Sequence, residues 1–117
     1  MGLSTHVLNT MHGTPAAGMR GALYSINGVN TTLIKEFVLD QEGRNPGGLL
    51  LDSTHFQVGS YRLAFDVAAY FKLLGVLLPD PPFLNIVNLD FGVANIAAHY
   101  HVPLLVSPWS YSTYRGS

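Results

Sequence analysis

Apolar and polar residues alternate with a period of two along most of this chain, and a helical spacing interrupts that pattern once. From Leu3 to Asn9, positions Leu3, Thr5 and Val7 fall on one side and Ser4, His6 and Leu8 on the other, which predicts a first strand. A loop of small residues with Gly and Pro follows over Thr10 to Gly18. Met19 to Asn27 and Asn30 to Leu39 then read as a hairpin, with Asn27-Gly28 as a type I′ turn signal. Asp40 to Gly48 is polar, Gly-rich and aperiodic; it presents Arg44, and Leu49 to Asp52 after it reads as a short edge strand. The alternation from Tyr61 to Val67 is the cleanest in the chain. Spacing then becomes helical, with Val67, Tyr70, Phe71 and Leu74 on one face and Gly75 placed to stop the helix.

After a stiff connector from Pro79 to Pro82, Phe83 to Val93 predicts another strand. Val102 to Val106 is apolar enough for a buried strand, and Pro103 restricts it to an edge or a partly free element. Ser107-Pro108 is a turn, and Trp109 to Arg115 alternates like a returning strand. Phe65, Tyr70, Phe71 and Trp109 sit at core spacing. Seven or eight short strands with one helix predict an all-β, two-sheet sandwich, a single domain over residues 1–117.

Composition narrows what such a sandwich does. Six basic residues against seven acidic give a net charge of −1, with no basic stripe for nucleic acid or an anionic membrane. Cysteine is absent, which removes disulfides, thiolate catalysis and Cys-ligated zinc. Charged residues are only 11% of the chain against a usual ~25%, so part of the surface is expected to be buried in an oligomer. No signal-peptide pattern or membrane-length apolar run stands out, and a soluble cytoplasmic protein is the default expectation.

Candidate chemistry gathers toward the C-terminus. His99 and His101 are two apart and share a strand face. Two histidines so placed can share a zinc ion, for which His6 could be the third ligand, although no acidic residue lies at a helpful spacing. By pattern alone His6 is an ordinary hydrogen-bonded surface histidine, and Arg44 an ordinary solvated arginine whose glycine neighbours allow close approach of a ligand. A guanidinium suits a flat, anionic, carbonyl-rich heterocycle, to which it donates paired hydrogen bonds. Tyr114 to Ser117 reads as a strand end with a tail, in which Arg115 would neutralise the terminal carboxylate. His12 and His55 lie in loops and receive no role.

Three stretches carry a resemblance: HYHVPLLVSPWSYSTYRGS (His99 to Ser117), LSTHVLNTMHGTPAAGM (Leu3 to Met19) and SYRLAFDVAAYF (Ser60 to Phe71). Together, and in their order along the chain, they resemble the transthyretin-like 5-hydroxyisourate hydrolases; the terminal YRGS is the most specific part, since ligand-carrying transthyretins lack it. The resemblance implies the transthyretin fold assembled as a homotetramer, a dimer of dimers. It also implies metal-free, cofactor-free hydrolysis of the cyclic amide 5-hydroxyisourate. It assigns His6, Arg44, His101 and Ser117 to catalysis, and His6, Arg44 and Tyr114 to substrate contact, while the role of His99 stays open. Asn9 stands where relatives more often carry Asp, so a carboxylate supporting His6 would be missing. Asn85, Asn88, Asn95 and Ile96 are further departures, outside the motif positions. The rival from another class is a transthyretin-like carrier of an aromatic ligand, which has no need of His6, Arg44, His101 and YRGS. A bare interaction sandwich, the third option, would be indifferent to replacing them.

Overall fold

The computed structural model describes residues 1–116; Ser117, one of the residues expected in the site, lies outside the described residues. The elements are β1 (Leu3–Asn9), β2 (Thr14–Pro15), β3 (Arg20–Asn27), β4 (Asn30–Val38), β5 (Gly59–Asp66), α1 (Val67–Leu73), β6 (Ile86–Val93), β7 (Tyr100–Val106) and β8 (Tyr111–Thr113). They form two four-stranded sheets, β2-β1-β7-β8 and β4-β3-β5-β6. The expected two-sheet sandwich with one short helix is what the chain forms. Among the described residues, no helix is long and apolar enough to cross a membrane.

Alternation explains which face each strand buries. In β1 every odd residue is buried and every even one half-exposed, so Leu3 and Val7 enter the core while Ser4, His6 and Leu8 face outward. β5 contributes Leu63 and Phe65, β6 Val87 and Leu89, and β7 Val102 and Leu104 to the same core. Phe71 and Val67 of α1 close it at one end. Each such side chain, fully buried, contributes about 1.5–3 kcal/mol. Val67 begins the helix instead of ending the strand, and the amides of Val67 and Ala68 donate to the carbonyl of Asn85. Asn85 thus serves the helix entry through its backbone. Gly75, at φ 83°, ends the helix as its position predicted.

Four expectations need correction. The β3–β4 turn is centred on Gly28 and Val29, because Asn27 pairs with Asn30; only Gly28 has positive φ, the type II′ pattern instead of I′. The edge strand at Leu49 to Asp52 shrinks to a single bridge between Leu51 and Leu3. Trp109 is 59% exposed and lies against the still more exposed Phe83, outside the core.

The fourth correction concerns Pro103, which is central: β7 runs parallel to β1 on one side and antiparallel to β8 on the other. Its ring nitrogen faces β8, since His101, two residues earlier, exchanges both backbone hydrogen bonds with Gly116 on that side. Between Thr113 and Gly116 the ladder is interrupted, and the hydroxyl of Thr113 donates to the Pro103 carbonyl. The missing N–H therefore falls in a local gap of the ladder, which is how a proline fits a central strand.

Candidate active site

The outer face of the β2-β1-β7-β8 sheet collects the polar side chains. In the parallel β1–β7 pairing Ser4 stands opposite His101 and His6 opposite Pro103. Continuing the antiparallel register from Leu104–Thr113 to His101–Gly116 puts Tyr114 on the other side of Pro103. One row across the sheet is therefore Ser4, His101, Gly116, and the next is His6, Pro103, Tyr114.

Arg44 reaches this face because its loop docks on the free edge of β1. Three short segments share that edge: Leu50–Leu51 at Leu3, Gly43–Arg44 at His6 and Val7, and Thr14–Pro15 at Leu8 and Asn9. The Val7 amide donates to the Gly43 carbonyl at 2.9 Å, and the Asp40 carboxylate ties the loop by accepting from the amides of Glu42 and Arg44. Gly43 has φ 74°, and a Cβ there would lie 2.4 Å from the Val7 carbonyl oxygen. Only glycine lets the loop come this close.

Each imidazole is held by a different partner. His6 donates from Nε2 to the carbonyl of Glu42 at 2.8 Å; because a carbonyl only accepts, Nδ1 carries the lone pair when the ring is neutral. Nδ1 of His101 lies 2.8 Å from the Ser4 hydroxyl, and Nε2 of His99 lies 3.0 Å from the same oxygen. Gly116 packs on the His101 ring, close enough that a Cβ would sit 3.0 Å from Cδ2. Partial burial, reinforced by the positive charge of Arg44 and the proximity of His6 and His99, holds the His101 pKa below the usual histidine value. These surroundings favour the neutral ring over the cation.

Ser4, Arg44, Asn45, Gly48 and His99 line a depression of about 400 Å³ on this face, within the size range of small-molecule sites (about 300–1,000 Å³). A smaller hollow of about 200 Å³ opens between the sheets beside Phe91, Tyr100 and Val102, on the opposite side of β7 from the imidazole of His101.

The structure thus gathers His6, Arg44 and His101 in one region, while Tyr114 lines the smaller hollow with Arg115. Arg115 is not turned toward this group: it stacks over the Tyr100 ring at 4.2 Å and donates to the His99 carbonyl, so its guanidinium is engaged there. Asn9 does not neighbour His6 either. It is fully buried on the inner face and binds His12 and the Tyr70 hydroxyl, so the residue type at this position bears on the core. Ser4 and the Glu42 carbonyl were not singled out from sequence. Ser4 was within reach, since β1 alternation places it on the face of His6. Glu42 was not, because a backbone carbonyl leaves no trace in side-chain pattern. Among the described residues no three His, Asp or Glu side chains group as metal ligands, and the facing nitrogens of His99 and His101 turn to one hydroxyl.

Fold and site together define a class: a small two-sheet sandwich with histidines and an arginine grouped on the outer face of one sheet. Residues 3–116 match the model of the HIUase/Transthyretin family, and the chain belongs to that family. It is 50% identical over 115 residues to the 5-hydroxyisourate hydrolase of Ralstonia nicotianae, covering 98% of this chain and 97% of that one. It is 48% identical to 5-hydroxyisourate hydrolase 2 of Rhizobium meliloti, covering 98% and 95%. Among solved structures, (S)-allantoin synthase superposes with a TM-score of 0.92 at 45% identity; the alignment covers 98% of this chain and 43% of that longer protein. Sea bream transthyretin in complex with thyroxine superposes at 0.85 and 28% identity, covering 99% and 95%.

Proposed function

We propose that this protein hydrolyses 5-hydroxyisourate to 2-oxo-4-hydroxy-4-carboxy-5-ureidoimidazoline, and that the His6–Arg44–His101 face is where it does so. The observation that carries this reading is that His6 and His101 share one open sheet face to which the Arg44 loop is bridged at His6, in a chain about half identical to proteins named for that activity. A carrier of an aromatic ligand has no use for such a cluster.

The chemistry follows from the groups present and uses no metal. Arg44 binds the carbonyl-rich anionic ring through paired donors and stabilises the oxyanion that forms. A water attacks the ring carbonyl carbon while His101 accepts its proton at Nε2. The tetrahedral intermediate then collapses, the ring C–N bond breaks, and the departing nitrogen takes up that proton. His6, fixed through Nε2–H on Glu42, orients substrate through Nδ1. Tyr114 contacts the ring.

We further propose that the working form is a homotetramer, a dimer of dimers. β6 and β8 both end their sheets with open edges, and Ile86, Tyr111 and Tyr114 are exposed beside them, which supports pairing through these strands. The test of function is direct: 5-hydroxyisourate is generated fresh with urate oxidase and its ultraviolet decay is followed with and without the protein. Faster decay in proportion to protein concentration is the expected result. Equal decay would refute the hydrolase reading.

A further inference from the structure

His99 has no part in the mechanism above, yet it shares a hydroxyl with the residue at its centre. The Ser4 oxygen lies 2.8 Å from His101 Nδ1 and 3.0 Å from His99 Nε2. A serine hydroxyl has one proton and two lone pairs, so it donates to at most one of the two rings. Two arrangements let it bridge them as donor to one and acceptor from the other. In one, Ser4 donates to His101 Nδ1, which forces the neutral ring to carry its proton on Nε2. In the other, Ser4 accepts from His101 Nδ1–H and donates to His99 Nε2, leaving the His101 lone pair on Nε2.

Of these two, only the second lets His101 receive a proton at Nε2, because there Ser4 accepts from Nδ1–H. Protonation there reverses no hydrogen bond: Nδ1–H still donates to Ser4, and the bond becomes charge-assisted and stronger as the ring turns cationic. In the first arrangement no lone pair faces away from Ser4. The surroundings hold the geometry still. Ser4 and His101 are cross-strand partners on β1 and β7, Gly116 packs against the ring, and Arg115 anchors the His99 carbonyl. The charged and titratable groups around His101 are Arg44 from the β1-edge loop, His6 from β1 and His99. Among the described residues Nε2 of His101 has no hydrogen-bond partner, whereas Nδ1 is occupied.

We propose that Ser4, backed by His99, is the positioning residue that holds His101 as the Nδ1–H tautomer and so presents Nε2 as the base. This deepens the hydrolase reading and rests on it for its catalytic meaning, but the tautomer itself is measurable without substrate.

Two measurements on the full chain decide it. In ¹⁵N-imidazole spectra near neutral pH, wild-type His101 shows Nδ1 as the protonated nitrogen, and Ser4→Ala shifts the ring toward the Nε2–H form. In 5-hydroxyisourate turnover, Ser4→Ala lowers kcat by about 10- to 100-fold, the range seen when an outer partner that orients an imidazole is removed. KM changes little, and Ser4→Thr, which keeps the hydroxyl, restores most of the loss. A wild-type His101 found as Nε2–H would overturn the proposal, as would a Ser4→Ala protein, folded by circular dichroism, with wild-type kcat. A wild-type protein without turnover would instead refute the hydrolase reading, and the spectrum would still decide between the two Ser4 arrangements.

Discussion

Two arginines stand on opposite sides of the same sandwich and meet opposite fates. Arg62 of β5 is locked to Asp90 of the neighbouring β6 by two hydrogen bonds of 2.6 and 2.9 Å, and the pair neutralises itself at the surface. The Asp90 carboxylate in turn raises the Arg62 pKa. Arg44, on the loop docked to β1, has a carboxylate close in sequence too, but Asp40 spends its oxygen on the backbone amides of Glu42 and Arg44. Among the described residues the Arg44 guanidinium has no carboxylate within salt-bridge distance. Its charge is felt instead by His101, whose pKa it lowers. A guanidinium left without its own counterion can serve a substrate; one already paired cannot.

The contrast can be broken experimentally, beginning with the largest effect. His101→Ala should lower kcat/KM by about 10²- to 10⁴-fold, the usual contribution of a general base, with the fold unchanged by circular dichroism. Arg44→Ala should cost about 10²- to 10³-fold, as loss of an oxyanion donor does, and Arg44→Lys should recover only part of it because an ammonium lacks the planar fork.

Gly43→Ala probes the docking of the loop and not the chemistry. Positive φ and the close Val7 carbonyl make it unfavourable by more than about 1 kcal/mol, visible as a lower Tm, and activity should fall because Arg44 and the Glu42 carbonyl move together. An unchanged Tm would contradict the close approach described for this loop.

The smallest effects separate the two faces most clearly. NMR titration should place the His101 pKa below the ordinary histidine range, and Arg44→Gln should move it upward by removing a positive neighbour. The unfolded chain then holds that proton more tightly than the folded one, so the contribution of His101 to stability is present above the ordinary histidine pKa and is lost as pH falls through the folded value. Arg62→Ala, on the other sheet, should leave turnover unchanged, since an exposed ion pair away from the site does no chemistry.

Much of the fold was legible in the chain because one period of two carries it. β1 runs from Leu3 to Asn9 as its alternation predicts, and α1 occupies the one stretch where the spacing changes. What alternation does not encode is what lies beside each strand. Pro103 reads as an edge residue, yet it sits in a central strand opposite a ladder gap that only the β8 geometry reveals. Trp109 has core spacing but lies within the Ser107–Ser110 turn between β7 and β8, where its side chain stays exposed.

The site is legible in a similar measure. His6 and His101 each announce a face, and the family resemblance joins them. The docking of Arg44 beside His6 depends on a glycine touching a backbone carbonyl far away in sequence. Ser4 sat in plain view on the same face as His6, but its significance needs the parallel register that sets it opposite His101. Asn9 shows the reverse error. Nearness in sequence to His6 implies a shared site, and one-in-two alternation sends the two residues to opposite sides of the sheet.

The central claim is that catalysis belongs to the imidazole–guanidinium face of one sheet. The most direct measurement is the kcat/KM of His101→Ala set beside that of Arg62→Ala, both against wild type on freshly generated 5-hydroxyisourate. The account predicts collapse of the first and no change in the second. Wild-type turnover by His101→Ala would contradict it.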